Sequence, residues 1–183
     1  HDQNQNIAGG DGVGDTAYTI DAKNIDHYPL MGSFETFNAF TSNGVSYSVG
    51  IVSKSNITNL NFSPDATPHP TLSFDVEGQS GTTGFCRVAM PKGFMWCDNP
   101  DEWAITVGGN LTAAVTILED TDYTYIYFTY THSTKTVQIQ STHAVPEFPS
   151  AIILPLFMAI TILTTILTKT NINRQRRSRQ QGY

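Results

Sequence analysis

Charged residues are scarce in this sequence, and recognisable catalytic motifs are missing. Only 14% of the 183 residues are Asp, Glu, Lys or Arg, whereas Thr, Asn and Ser are plentiful. This composition favours a β-rich extracellular protein over a cytosolic helical one. The sequence contains no nucleophile elbow, no His-Glu-x-x-His zinc motif, no Cys-x-x-Cys pair and no phosphate-binding glycine loop. We therefore expect a protein that is not an enzyme.

Acidic residues are missing from the last part of the chain, and basic residues are rare before it. Residues 1–150 hold all sixteen acidic residues and five basic ones, a formal charge of −11. The last fifteen residues hold the other five basic residues. Since nucleic-acid binding needs a clustered basic face, the acidic body argues against a nucleic-acid partner.

An uncharged apolar run, "AIILPLFMAITILTTILT", occupies residues 151–168. Eighteen residues are close to the shortest helix that crosses a hydrocarbon core of about 30 Å. Residues 169–183 then form a basic tail, and Glu147 lies on the other flank. This order predicts one transmembrane helix in the cell membrane, with the body extracellular and the C-terminus cytoplasmic. The alternative is a helix buried in the protein core.

The segment before the apolar run is rich in proline. Residues 145–150 read "VPEFPS", and Pro146 and Pro149 predict a stiff, extended spacer. Together with the apolar run and the basic tail, this segment resembles the C-terminal anchor of many archaeal surface proteins. Some similar tails are processed by a sorting enzyme.

The periodicity between Phe34 and Gln140 is two, which is typical of strands. In "TLSFDVEG" the apolar and polar residues alternate, and "DYTYIYFTYTHSTKTVQIQ" has the pattern of a hairpin that turns near residues 132–134. Short strands about ten residues apart, with Asn43-Gly44 and Gly108-Gly109 as turns, predict an all-β fold. We expect residues 34–144 to form an antiparallel, Ig-like β-sandwich.

The chain has two cysteines, Cys86 and Cys97, separated by ten residues. In an extracellular body a disulfide between them is expected, and it would stabilise the fold by roughly 3 kcal/mol. The alternative is two free thiols, one on a buried strand and one in a loop.

Three Asn-x-Ser/Thr triplets are possible glycosylation sites: Asn56, Asn61 and Asn110. Such triplets arise by chance in a chain rich in Thr and Asn, but an extracellular location favours their use.

The N-terminal run "DGVGDTAYTIDAKNIDHYPLM", residues 11–31, combines Asp and Gly and ends on an aromatic-proline-apolar step. It resembles the closing segment of archaeal NosD-like right-handed β-helix surface proteins, and "GQSGTTGFCRVAMPKGFMW" with the strands after it resembles a β-sandwich that follows those β-helices. The resemblance implies that residues 1–33 are the end of a β-helix and that the chain is the C-terminal part of a larger surface protein.

The same run offers candidate calcium ligands. Oxygen-rich loops with Gly at the bend suit a hard cation, and Asp11, Asp15 and Asp21 are the available carboxylates. The alternative is a glycine-rich turn whose Asp side chains accept hydrogen bonds from nearby amides. No other cofactor is expected.

A row of tyrosines, Tyr123, Tyr125 and Tyr127, lies on one face of a predicted strand. Such rings can stack on sugars, which would make a carbohydrate-binding surface. The alternative is an aromatic ladder or a second buried face that stabilises the sheet.

These features predict a non-enzymatic, membrane-anchored cell-surface protein with a structural or adhesive module next to the membrane. The alternative is a carbohydrate-binding module, or an accessory domain of a polysaccharide-processing β-helix protein. The expected partners are the membrane, and carbohydrate or other surface proteins.

Overall fold

Antiparallel β-strands make up most of the chain in the computed structural model, which describes residues 10–42, 44–112, 114–145 and 157–169. The chain divides into two units, His1–Pro146 and Glu147–Tyr183. The prediction of a mostly β protein with antiparallel sheets is confirmed.

The first unit contains fourteen described strands and a short 3₁₀ helix, Pro100–Glu102. The strands are β1 (Tyr18–Thr19), β2 (Ile25–Asp26), β3 (Ser33–Ser42), β4 (Val45–Ser53), β5 (Asn56–Ser63), β6 (Thr71–Glu77), β7 (Thr83–Pro91), β8 (Met95–Trp96), β9 (Ala104–Val107), β10 (Asn110–Leu111), β11 (Val115–Glu119), β12 (Tyr123–Thr131), β13 (Lys135–Gln140) and β14 (His143–Ala144).

Two five-stranded sheets form the body of this unit. The first sheet has the order β11-β12-β7-β4-β3, and the second sheet has the order β10-β9-β13-β6-β5. The turn glycines predicted from the sequence lie in hairpins, because Gly44 follows β3 and Gly108-Gly109 separate β9 from β10, all with positive φ. We call the two sheets together the two-sheet domain.

Both sheets bury one face in a single hydrophobic core. The alternation predicted for β6 is observed: Leu72, Phe74 and Val76 are at most 1% exposed, while Ser73 and Asp75 are partly exposed. The first sheet contributes Ile126 and Phe128, among others, to the same core. Because each fully buried apolar side chain of this size stabilises the fold by about 1.5–3 kcal/mol, this shared core holds the two sheets together.

Three of the short connections at which the chain crosses between the sheets are residues 54–55, 78–82 and 132–134, which we call the arches. They join β4 to β5, β6 to β7 and β12 to β13, and each pair has one strand in each sheet. The predicted hairpin over β12 and β13 is therefore wrong. β12 pairs with β7 and β11, whereas β13 pairs with β6 and β9, because the apolar faces of both strands are buried in the core from opposite sides.

One buried histidine joins the three arches. The Nε2 atom of His132 lies 2.8 Å from the Ser55 hydroxyl, and its Nδ1 atom lies 2.6 Å from the Thr82 hydroxyl. The Ser55 hydroxyl also contacts the Tyr130 hydroxyl at 2.6 Å. The backbone N–H of His132 donates to the Thr82 carbonyl as well. Burying these polar groups costs little because each has a partner.

The hydrogen bonds of this network run in one direction. The Thr82 hydroxyl donates to the carbonyl of Gln79 at 2.7 Å, so it accepts from Nδ1–H of His132. The Nε2 atom of a neutral His132 is then an acceptor for the Ser55 hydroxyl, which in turn accepts from Tyr130. In the neutral imidazole, the network therefore places the proton on Nδ1 and leaves Nε2 as the acceptor.

Two glycines make room for the His132 ring. A Cβ atom on Gly78 or Gly84 would overlap the imidazole, and one on Gly84 would also lie 2.6 Å from a ring carbon of Tyr130. Neither glycine has a positive φ, so the requirement is for space rather than for an unusual backbone conformation.

The N-terminal residues 12–31 form an antiparallel finger. β1 pairs with β2, Val13 bridges Leu30, and the Met31 amide donates to the Gly12 carbonyl. The base of the finger lies on the outer face of the first sheet, where Met31 packs against Val52 and Tyr127. The finger is thus part of the first unit.

In the second unit, residues 157–169 form a helix, α1, whose described side chains are all exposed. Residues 151–156, the first part of the predicted span, lie outside the described residues. The described part of the chain has no helix with both the length and the apolar character needed to cross a membrane.

The glycine requirement at the arches gives a stability prediction. We expect Gly84→Ala to lower the free energy of unfolding by about 1–3 kcal/mol, because the added methyl group has to displace His132 or Tyr130. Gly93→Ala is the matched control, since its Cβ would meet no atom closer than 3.8 Å. Equilibrium unfolding in urea measures both, and equal stabilities for the two variants would contradict the packing described here.

Candidate functional site

The three predicted tyrosines lie on the outer face of β12, opposite the core-facing Ile126 and Phe128. The Tyr123 and Tyr125 rings are stacked, with their centroids 6.1 Å apart and their planes at 27°. Tyr123 is 38% exposed and Tyr125 is partly exposed. Two of the three rings therefore form an accessible aromatic surface.

Hydrogen bonding and a cation hold Tyr125 in place. Its hydroxyl donates to the Asp120 carboxylate at 2.7 Å, and the Arg87 guanidinium lies 4.2 Å from the ring centroid. The hydrogen bond from Tyr125, followed by those from the amides of Tyr123 and Asp122, lowers the pKa of Asp120 below its usual value. The same hydrogen bond is the main cause that raises the pKa of Tyr125.

Tyr127 belongs to a second buried face, which was the alternative prediction for the row. It is 9% exposed and packs with Val52 and Phe85 under Met31 of the finger. A Cβ on Gly12 would lie 3.4 Å from its ring, so the finger backbone approaches closely. Tyr127 is therefore not accessible to a ligand.

The structure does not bring Asp11, Asp15 and Asp21 together as a calcium site. The described residues contain no group of three or more His, Cys, Asp or Glu side chains arranged to hold a metal. Asp11 accepts from the Val13 amide, and Asp21 accepts from the amides of Lys23 and Asn24. The alternative prediction, turn carboxylates that bind nearby amides, describes Asp11 and Asp21.

The predicted disulfide is not formed, because Cys86 and Cys97 are both free thiols. Cys86 lies on the core side of β7, where its sulfur contacts Ser53 and Tyr130, each at 3.5 Å. Burial raises its pKa to about 11. Cys97 follows β8, and its sulfur accepts from the Thr142 amide. The two sulfurs thus have separate environments, as the alternative prediction of free thiols requires.

The three predicted glycosylation sites are exposed. Asn56 and Asn61 lie on β5, an edge strand of the second sheet, and Asn110 begins β10 at the opposite edge. The Asn61 side-chain amide donates to the Ser63 hydroxyl of its own triplet. Glycosylation at these three sites stays a prediction.

Two other groups of reactive residue types have local structural roles. Glu102 accepts from Asn99 and from the Asp98 amide, which closes the short 3₁₀ helix. Ser55 and His132 have the separation of a nucleophile and its base. Both are buried, however, and Nδ1 of His132 contacts a hydroxyl rather than a carboxylate, so this pair stabilises the arches.

The sequence did not reveal a pocket of about 420 Å³, which we call the Trp96 pocket. Its lining includes Lys92, Trp96, Cys97, Glu119, Thr124 and Val145. These residues come from several strands and loops, so no local pattern in the sequence predicts that they lie together. The only sequence signal was Trp96 itself, in a segment rich in turn residues.

The polar groups of the Trp96 pocket are fixed by their own contacts. The Lys92 ammonium lies 3.1 Å from Oε2 of Glu119, and the Thr124 hydroxyl donates to Oε1 at 3.2 Å. The Trp96 ring stacks on His143 with an interplanar angle of 17°. Backbone pairing of β8 with β14 places these two rings opposite each other.

The contact between Tyr125 and Asp120 can be tested by titration. In Tyr125→Phe we expect the pKa of Asp120 to rise towards its usual value, because the ionised carboxylate loses the hydrogen bond from the phenol hydroxyl, which is the largest cause of the lowered pKa. Carbon-detected NMR titration of the carboxyl groups measures the shift. Asp75 is the internal control, since its pKa is lowered by Asn59 and Thr136 instead. An unchanged Asp120 titration in the variant would contradict the contact.

Comparison with known proteins gave no relative: no protein-family model, no curated protein and no solved structure matches this chain.

Proposed function

We propose that the chain is a non-enzymatic module of a cell-surface protein, anchored in the cell membrane by its C-terminal segment. The observation that carries the proposal is the surface of α1. Seven of its large apolar side chains are between 50% and 64% exposed: Phe157, Met158, Ile160, Ile162, Leu163, Ile166 and Leu167. The remaining face carries Thr161, Thr164, Thr165 and Thr168, whose hydroxyls donate to backbone carbonyls of the preceding turn. A helix with this much exposed apolar surface, and with its hydroxyls bonded within the helix, is suited to lipid.

The charge order supports the orientation of this anchor. Lys169 ends α1, and four arginines follow it in the sequence. Basic residues on one flank favour the cytoplasmic side, which leaves the acidic two-sheet domain outside the cell. The exposed Asn56, Asn61 and Asn110 are compatible with glycosylation there.

In the same proposal, the chain consists of the end of a β-helix, then an Ig-like β-sandwich, and then one transmembrane helix. The two antiparallel sheets with one shared core support the sandwich. The role is structural or adhesive, close to the membrane, within a larger NosD-like surface protein.

The anchor is tested by placing charge in α1 of the full chain. We expect the unaltered chain to stay in the membrane pellet after alkaline carbonate extraction. The double variant Ile160→Asp/Leu163→Asp is expected to be released, since each Asp near a span centre costs roughly 3 kcal/mol on insertion scales. Leu111→Asp, at a 72% exposed position in the two-sheet domain, is the matched control and should stay in the pellet. Extraction of the unaltered chain into the soluble fraction would overturn the proposal.

A second candidate function, carbohydrate binding, is favoured by the Tyr123–Tyr125 surface. The two stacked rings are exposed or partly exposed, and Asp120 and Arg87 fix the orientation of Tyr125. Aromatic rings that are held in place bind the apolar face of a sugar with little loss of side-chain entropy.

This candidate predicts a loss of polysaccharide binding when the rings are removed. We expect Tyr123→Ala/Tyr125→Ala to weaken binding by about 5- to 30-fold, from roughly 0.5–1 kcal/mol for each ring. Tyr127→Phe is the control, because Tyr127 lies under the finger. Affinity electrophoresis against a panel of polysaccharides gives the comparison. Equal binding by the double variant and the unaltered chain would rule out this surface as the site.

A further inference from the structure

We propose that the Trp96 pocket binds a neutral sugar ring, with Trp96 as the stacking surface and the Lys92–Glu119 pair as the hydrogen-bonding group. This proposal shares its ligand class with the second candidate function, but it uses none of the Tyr123–Tyr125 residues. It also does not depend on how the chain is anchored.

The size of the pocket fits a small organic ligand. Its volume of about 420 Å³ lies within the range of roughly 300–1,000 Å³ that is usual for such sites. The indole of Trp96 and the side chain of Val145 supply apolar wall, and Gly93 leaves one side without a side chain. The combination of an apolar wall and a few fixed polar groups is what orients a ligand in a binding site.

The Lys92–Glu119 pair offers a donor and an acceptor side by side. Lys92 has three N–H donors and uses one of them on Glu119, so donors remain for a ligand. Each carboxylate oxygen of Glu119 accepts one described side-chain hydrogen bond, from Lys92 or from Thr124, and has a second lone pair. Neighbouring hydroxyls of a sugar ring match this arrangement, since one can donate to Glu119 while the next accepts from Lys92.

The same pair disfavours a charged ligand. Glu119 would repel an anion that approached Lys92, and Lys92 would repel a cation that approached Glu119, because the two groups lie only 3.1 Å apart. A neutral ligand is repelled by neither group. It leaves the ion pair intact and adds hydrogen bonds to both partners.

The pocket is preorganised for stacking. Trp96 is held from one side by His143, whose ring centroid lies 5.3 Å away, and His143 contacts Asp98 at 3.4 Å. β8 and β14 fix the backbone of both aromatic residues. A ring that is already immobilised binds a sugar face with little further loss of side-chain entropy.

Two residues provide direct reporters of occupancy. Trp96 and Trp103 are the only tryptophans in the chain, and Trp103 is 7% exposed in the core. Cys97 lines the pocket and is partly exposed, whereas Cys86 is fully buried. A ligand in the pocket should therefore change Trp96 fluorescence and protect Cys97 from alkylation.

The experiment is a fluorescence titration of the full chain, in a detergent without a sugar head group, against neutral hexoses, pentoses, N-acetylhexosamines and their short oligomers. We expect a saturable change for at least one sugar and slower alkylation of Cys97 at the same concentrations. In Trp103→Phe the signal should remain, because Trp103 lies outside the pocket lining.

Substitutions within the pocket test the roles of its residues. We expect Trp96→Ala and Glu119→Gln each to weaken the sugar's protection of Cys97 by about 10-fold or more. Resistance of Cys86 to alkylation shows that each variant is folded. Tyr123→Ala/Tyr125→Ala should bind the sugar unchanged.

Two outcomes of these titrations would overturn the proposal. No saturable signal with any sugar of the panel would mean that the pocket does not bind neutral sugars. Binding that persists in Trp96→Ala but is lost in Tyr123→Ala/Tyr125→Ala would place the site on the outer face and support the second candidate function alone. Loss of membrane anchoring in the carbonate extraction would leave this result unaffected.

Discussion

The buried hydrogen bonds of His132 are the interaction on which the two-sheet domain depends. A chain that crosses from one sheet to the other exposes backbone and polar side chains at each crossing, and here three of the crossings meet at the buried His132 side chain. His132 joins Ser55 and Thr82 across separate arches, and Tyr130 adds a link to the first sheet. Because each of these groups has a partner, the arches close at one end of the core without a buried polar group left unsatisfied there.

The arrangement of the sheets decides which surfaces can bind. Because Ile126 and Phe128 pack in the core, the alternate residues of β12 lie on the outer face of the first sheet. There the finger covers Tyr127 and leaves Tyr123 accessible. The Trp96 pocket arises differently. Its residues are brought together because β8 and β14 form a separate two-stranded pair beside the end of β11.

The sequence predicted the strands well but their pairing only in part: two of the three predicted turns join paired strands, and the turn near residues 132–134 does not. Alternation of apolar residues depends on local periodicity, so β6 and β12 were visible from residues such as Leu72 and Phe128. Pairing depends on which layer buries each apolar face, and the arch at 132–134 has the composition of a hairpin turn. The spacing of Cys86 and Cys97 could not show that one sulfur faces the core. The Trp96 pocket was missed because Lys92 and Glu119 are far apart in the chain, and only the fold brings their charges to 3.1 Å.

The most direct test of this account is the tautomer of His132, measured by long-range ¹H–¹⁵N NMR of its imidazole at neutral pH. Because the Thr82 hydroxyl donates a hydrogen bond to the Gln79 carbonyl, these contacts require a proton on Nδ1 and an unprotonated Nε2 that accepts from the Ser55 hydroxyl. A single Nδ1–H species would support the joined arches. An Nε2–H species, or a mixture of the two as in a solvent-exposed histidine, would contradict them.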